Sequence, residues 1–188
     1  MFEAPLLLLI RAIDFNTTQG QDGTNLRQLY IAQSQLPDLP PALQEDVTTP
    51  RLVLESGKGD VYDSSVWMGL EPTNTPLHRD PNPNLFCQIH SGKTVRLLPP
   101  TPGDRLYRQV QTLLRRPGNG RIRGVEMMEG PERTLVEDIV WGKNVHADLL
   151  EAHLEAGDAL FIPEGWWHSV KSHHLDGRLN VSINWWFR

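Results

Sequence analysis

The residues with the most chemistry in this sequence are His78, Asp80, His168 and Lys93. In an extended segment, positions i and i+2 point the same way, so the two ends of His78-Arg79-Asp80 can face one metal ion. A third donor from a distant strand, His168, would close a triangle on one side of that ion. Two imidazoles and one carboxylate, with the remaining positions open, form the ligand set of non-haem Fe(II) oxygenases. An H-x-D triplet arises often by chance, and a single histidine is more commonly a turn or core residue. Context sharpens the reading. His78-x-Asp80 follows the Pro-bounded turn 71–76 and precedes a strand. His168 follows Gly157-Asp-Ala-Leu-Phe-Ile-Pro-Glu-Gly-Trp-Trp, which reads as a turn, a strand and then a second turn. Lysine is normally solvated. If Lys93 points into a barrel it needs an anion, and the distal carboxylate of 2-oxoglutarate would provide one through a charge-assisted hydrogen bond.

The elements that must position these residues are mostly short strands. Asn84–His90 alternates Leu85, Cys87 and Ile89 against Asn84, Phe86, Gln88 and His90, a period of two. Ser91-Gly92 reads as a tight turn, with Lys93–Leu98 as the returning partner strand and Pro99-Pro100 as its stop. Further strands are expected at Leu6–Ile13, Leu26–Ala32, Ser64–Leu70, Glu151–Leu154, Asp158–Ile162, Trp166–Lys171 and Arg178–Phe187. In the last, Leu179, Val181, Ile183, Trp185 and Phe187 share one face, and Asn180, Ser182, Asn184 and Trp186 the other. Residues 14–25 read as a polar loop, and Gln35–Pro50 as a connector with one helical turn. Helical spacing occurs at Asp104–Arg116, within a stretch, 101–150, that reads as an insertion between the two halves of the core. Six Arg fall between 105 and 123, with Asp104 the one acid beside them. A solvated face explains that cluster; a docking surface for an acidic partner or RNA phosphates is the sharper alternative.

Composition bounds the rest. The 188 residues suit one domain. Eighteen basic and 23 acidic residues give a net charge of −5, which disfavours nucleic acid and anionic membranes as partners. The 15 Gly and 15 Pro favour strands and turns over a helical bundle. Cys87, the single cysteine, excludes an internal disulfide framework and a Cys-rich zinc site. The apolar run Pro5-Leu-Leu-Leu-Leu-Ile10 is far short of the roughly 20 residues of a membrane span, so no membrane association and an intracellular location, cytoplasm or nucleus, are expected.

Several motifs together resemble the JmjC-domain, cupin-like 2-oxoglutarate oxygenases. They are Asn74-Thr-Pro-Leu-His-Arg-Asp-Pro-Asn-Pro-Asn84, Gln88-Ile-His-Ser-Gly-Lys93, Arg96-Leu-Leu-Pro-Pro100, Gly157 to His168, and Asn180-Val-Ser-Ile-Asn-Trp-Trp-Phe187. Tyr30-Ile-Ala-Gln33, with Leu36-Pro-Asp-Leu-Pro and Glu45-Asp46 behind it, resembles the small hydroxylase subgroup that includes a protein arginyl hydroxylase and the asparaginyl hydroxylase of hypoxia-inducible factor. The match covers roughly 30–100 and 150–187.

The resemblance implies a mainly β fold, a double-stranded β-helix or jelly roll with a few short helices, spanning 1–188 as a single domain. It implies Fe(II) held by His78, Asp80 and His168, and 2-oxoglutarate contacts from Tyr30, Thr75, Asn84, Lys93 and Asn184. The implied activity is a dioxygenase that most readily hydroxylates a polypeptide side chain. Small-molecule, tRNA-base or N-methyl-lysine oxidation are alternatives within the same chemistry. A non-catalytic metal-binding cupin, or a cupin using another metal, is the rival from outside it. Trp67, Trp166, Trp167 and Trp186 read equally as a shield for the reaction site and as barrel core. A protein or peptide partner and a monomer are expected, and Leu6–Ile13 is expected to complete the major sheet.

Overall fold

The computed structural model describes residues 6–19, 26–115, 130–143 and 146–188. Nine strands form two antiparallel sheets among these residues: β1 (Tyr30–Gln35), β2 (Val61–Leu70), β3 (Asn74–Arg79), β4 (Asn84–His90), β5 (Lys93–Leu98), β6 (Leu150–Leu154), β7 (Ala159–Ile162), β8 (Trp167–Ser172) and β9 (Leu179–Phe187). The larger sheet has the order β1-β2-β9-β4-β7 and the smaller β3-β8-β5-β6. Five α-helices and a 3-10 turn at Leu36–Asp38 accompany them among the described residues: α1 (Leu6–Gln19), α2 (Pro41–Asp46), α3 (Arg51–Glu55), α4 (Pro100–Leu114) and α5 (Pro131–Trp141). The architecture is the expected mainly β jelly roll with few helices.

Strand alternation divides the apolar side chains into three clusters. Between the sheets lie Phe86, Val95, Leu97, Leu154, Ile162 and Val170. Outside the larger sheet, Val66, Leu85, Val181, Ile183, Trp185 and Phe187 are covered by Val53 of α3. Outside the smaller sheet, Leu77, Leu98 and Trp167 are covered by Leu106, Tyr107 and Val110 of α4 and Val136 and Val140 of α5. The apolar face of β9 therefore looks outward beneath a helix. Its polar face, Asn180, Ser182 and Asn184, is turned into the barrel, where all three are buried.

Two expectations are corrected here. Leu6–Ile13 is not a strand: it is the first part of α1, and Leu6, Leu7, Leu8 and Ile10 are exposed while Leu9 is buried. A short apolar run does not distinguish strand from helix by itself, and Leu, Arg and Ala are good helix formers. The helix is fixed by positions i and i+7 on one face: Leu9 enters the protein, and the buried Asn16 donates to the carbonyls of Arg27 and Gly177 and accepts from Arg27 N. Residues 14–19 of the expected loop belong to this helix, and 20–25 lie outside the described residues.

The second correction concerns Ser91-Gly92. It does not join paired strands. β4 is flanked on both sides, by β9 and β7, so β5 has no free edge there and crosses to the other sheet between β8 and β6. The turn is a corner between sheets; Ser91 takes the left-handed conformation (φ 61°) and Gly92 lies where a Cβ would be 2.4 Å from His173 Nδ1. Smaller differences are confined to element ends: β1 begins at Tyr30 rather than Leu26, β2 at Val61 rather than Ser64. Of the Arg cluster, Arg116, Arg121 and Arg123 lie outside the described residues.

α4 approaches the smaller sheet closely because residue 103 has no side chain. A Cβ on Gly103 would lie 2.1 Å from Cδ1 of the buried Trp167. Gly103→Ala should cost about 1–3 kcal/mol through overpacking, read as a lower urea midpoint with an unchanged m-value.

Candidate metal centre

β3 and β8 run antiparallel with His78 directly opposite His168, and the two rings face each other at a centroid distance of 4.1 Å. A break in register between Thr75 and His78 places Pro76, which has no N–H to donate, at the irregularity. Asp80 follows just beyond the end of β3. Its Oδ1 is 3.8 Å from His78 Nε2 and its Oδ2 is 3.6 Å from His168 Nε2. All three ligand atoms lie within 4.8 Å of one another, and the two Asp80–histidine distances fall inside the roughly 4.2 Å that two metal–ligand bonds of about 2.1 Å can span.

The surroundings prepare each donor atom. His78 Nδ1 donates to the Pro76 carbonyl at 2.9 Å, and His168 Nδ1 lies 3.2 Å from the Trp166 carbonyl. Each bond assigns the proton to Nδ1 and leaves the Nε2 lone pair facing Asp80. Burial, reinforced by His168, pushes His78 down to about 4, against the opposing pull of Asp80 and of backbone hydrogen bonds. Its imidazole is therefore neutral, as a metal ligand must be. Burial pushes the Asp80 carboxyl up, but His168, His78, the Trp186 indole and Asn84 outweigh it and hold the group below the usual carboxylate range. Trp186 Nε1 donates to Asp80 Oδ2 at 2.7 Å.

The triad opens onto a cavity of about 210 Å³ between the sheets. Tyr30, Thr75, Lys93 and Asn184 line it with the three triad residues. Asn84 does not line it: its fully buried amide has no hydrogen-bond partner of normal geometry among the described residues and sits beside Asp80, which it helps keep ionised. Tyr30 is partly exposed at its outer edge, yet burial of its hydroxyl pushes it up to about 12, partly offset by a hydrogen bond with Thr75. Lys93 is 3% exposed and donates to Ser182 Oγ at 2.7 Å; it makes no ion pair among the described residues. Burial pulls its ammonium down to about 7, while the buried Glu71 opposes the fall.

A buried ammonium without a contacting carboxylate is costly, and Asn184 Oδ1 and Trp67 Nε1 are buried polar atoms without partners. An anion with further oxygens, reaching from Lys93 toward the triad, would satisfy such a site. Fe(II) and 2-oxoglutarate are the pair this donor set suits.

Of the four tryptophans singled out, Trp67 and Trp186 line the cavity. Trp167 faces the other way, beneath α4, and Trp166 packs against the inter-sheet cluster. Sequence reasoning did not identify the partners that orient the triad. For both histidines the signal was local, the carbonyl two residues upstream. For Asp80 it was not, because Trp186 comes from β9 in the opposite sheet.

The sequence matches the cupin-like domain family over residues 11–188. The chain belongs to this family. Relatives include "Lysine-specific demethylase JMJ30" of Arabidopsis thaliana, 32% identical over 157 residues (84% of this chain, 33% of the relative). "Jumonji C domain-containing protein 5" of Drosophila melanogaster is 29% identical over 187 residues (95% and 42%). "Lysine-specific demethylase 8" of Danio rerio is 31% identical over 160 residues (84% and 36%). The chain spans between a third and about two-fifths of the length of these relatives. Among the described residues, no helix is long and apolar enough to cross a membrane.

Trp186→Phe keeps the ring and removes the donor to Asp80. It should weaken Mn(II) binding to the metal-free protein roughly 10- to 100-fold, measured by fluorescence titration. Asp80→Ala should weaken it further.

Proposed function

We propose that this chain is an Fe(II)- and 2-oxoglutarate-dependent dioxygenase that hydroxylates a side chain of a polypeptide. The observation that carries the reading is a single cavity joining a His-Asp-His triad with a buried, carboxylate-free lysine. His78, Asp80 and His168 would hold the metal from one side and leave its cavity-facing side accessible. With Fe(II) bound, 2-oxoglutarate and O₂ supply the oxidising power: the keto acid loses CO₂ to become succinate, and one oxygen atom goes to the substrate.

The remaining work falls to side chains. Lys93 would bind the distal carboxylate, with Ser182 holding its ammonium in place. Tyr30 and Thr75, which share one hydrogen bond, would offer the hydroxyl proton left free to the carboxylate beside Lys93. Asn184 would orient the near end of the co-substrate, and Asn84 would act on it only through Asp80. Trp67, Phe86, Val170 and Trp186 give the cavity apolar walls, which exclude water from the reaction. The rival cupin using another metal for non-oxidative chemistry has no use for a buried lysine aimed into this cavity.

A second reading within the same chemistry is oxidation of an N-methyl-lysine. It rests on the names of two relatives, both described as lysine-specific demethylases. Hydroxylating a methyl carbon attached to nitrogen needs the same oxidant, so the two readings differ only in the substrate at the cavity mouth.

Anaerobic addition of Fe(II) and 2-oxoglutarate should give a visible metal-to-ligand charge-transfer band that fades in air as succinate forms. His78→Ala and Asp80→Ala should show neither. Fe(II) binding without the band would overturn the co-substrate assignment.

Lys93 adds a pH signature. The distal carboxylate requires an ammonium. Below pH 7 the free protein already carries it, so affinity is flat with respect to this group. Above about 7 each binding event must take up a proton, and affinity should fall about tenfold per pH unit. Lys93→Met should weaken 2-oxoglutarate binding and abolish that proton uptake, as measured by calorimetry in buffers of different ionisation heat.

A further inference from the structure

The two histidines occupy a short piece of ladder. β3 is the edge strand of the smaller sheet, so β8 is its only strand partner among the described residues. The break in register between Thr75 and His78 interrupts the pairing on one side, and β3 ends at Arg79 on the other. Only two consecutive pairs remain at this end, His78 with His168 and Arg79 with Trp167. β8 is held from behind by β5, with Leu97 opposite His168 and Leu98 opposite Trp167. The end of β3 has no strand behind it among the described residues; beyond it, one backbone hydrogen bond, Gly165 N–H to the Asp80 carbonyl at 3.3 Å, ties the segment that carries Asp80 to the turn before β8.

One side chain closes this gap from outside the sheet. Asp104 in α4 accepts, on a single oxygen, Oδ1, a hydrogen bond from Arg79 Nη1 and another from Trp167 Nε1, each at 2.9 Å. The Arg79 guanidinium also lies over the Trp167 ring, 5.2 Å from a ring centroid. These two residues are the cross-strand pair next to the histidines. Arg79 sits between His78 and Asp80 in sequence, and Trp167 immediately precedes His168. Gly103 allows the approach, because the α4 backbone rests where any side chain would strike the indole.

We propose that Asp104 is a positioning residue for the metal centre: by gripping Arg79 and Trp167 together it fixes the end of β3 against β8, and with it the spacing of His78, Asp80 and His168. The inference rests on the metal-binding reading above, and it gives the 101–150 segment a role at the site. An exposed Asp–Arg pair alone contributes little. Here the same oxygen also satisfies the N–H of a buried tryptophan, and that sharing is what couples the two strands.

The test is Mn(II) affinity of the metal-free protein, by electron paramagnetic resonance of free Mn(II), alongside its thermal unfolding midpoint. Asp104→Ala should weaken binding roughly 10- to 100-fold, as losses in the outer shell of metal sites do. Asp104→Asn keeps an acceptor for the indole but loses the charge facing Arg79, so its affinity should fall between that of Asp104→Ala and the wild type. A purely structural role would lower the unfolding midpoint and leave the affinity of the folded protein unchanged; that result overturns the proposal. Should Asp104→Ala fail to fold, Arg79→Gln and Trp167→Phe each remove one arm of the grip. Weakened affinity in either supports the proposal, and wild-type affinity in both overturns it. Wild-type protein that takes up no Mn(II) would instead overturn the metal-binding reading, and this inference with it.

Discussion

The antiparallel pairing of β3 with β8 is the constraint on which the site depends. It brings together two histidines far apart in the chain, and its register decides whether they meet. A slip of β3 by one residue would turn His78 to the other face of the sheet, away from His168 and among the apolar side chains under α4 and α5. The register is held by what lies on that other face. Leu77 and Trp167 are buried among helix residues there, and neither could be exchanged for an imidazole without opening a void or burying an unpaired polar group. The packing behind the smaller sheet thus specifies the chemistry in front of it.

Electrostatics then gives each donor its working protonation state. A carboxylate between two imidazoles would by itself favour charged histidines. Burial acts in the opposite sense on His78, and backbone carbonyls two residues upstream assign the tautomer of both rings. The cavity thus holds a negative centre at Asp80 and a positive centre at Lys93, the two charges that the proposed function assigns to a metal dication and a dicarboxylate. Glu71 tempers the second centre. It is fully buried, accepts hydrogen bonds from Ser91, Asn180 and the backbone of His174, and lends Lys93 a partial counter-charge without contacting it.

Much of this was legible in the residues. β4 and β5 have the limits that period-two alternation and the flanking turns suggest, Asn84–His90 and Lys93–Leu98, because turns and prolines punctuate them sharply. The H-x-D spacing and the later histidine picked out the three groups that converge. What local pattern could not show was which strands are neighbours. The Ser91-Gly92 corner has the length of a hairpin, and only the occupation of both β4 edges by other strands rules a hairpin out. α1 was misread because an unbroken run of leucines has no period to analyse. Trp186 and Asp104 were invisible as orienting groups because their partners come from other layers of the fold.

The inward-facing wall of β9 has a consequence for the stability of this domain. Asn180, Ser182 and Asn184, with Gln88 and Asn84 across from them on β4, place amides and a hydroxyl where most barrels of this size carry hydrocarbon. Filling that wall with leucine and valine would relieve several unsatisfied polar atoms and yield a tougher protein. Stability alone would therefore favour a greasy interior within the same outline, and the polar lining stands against that preference.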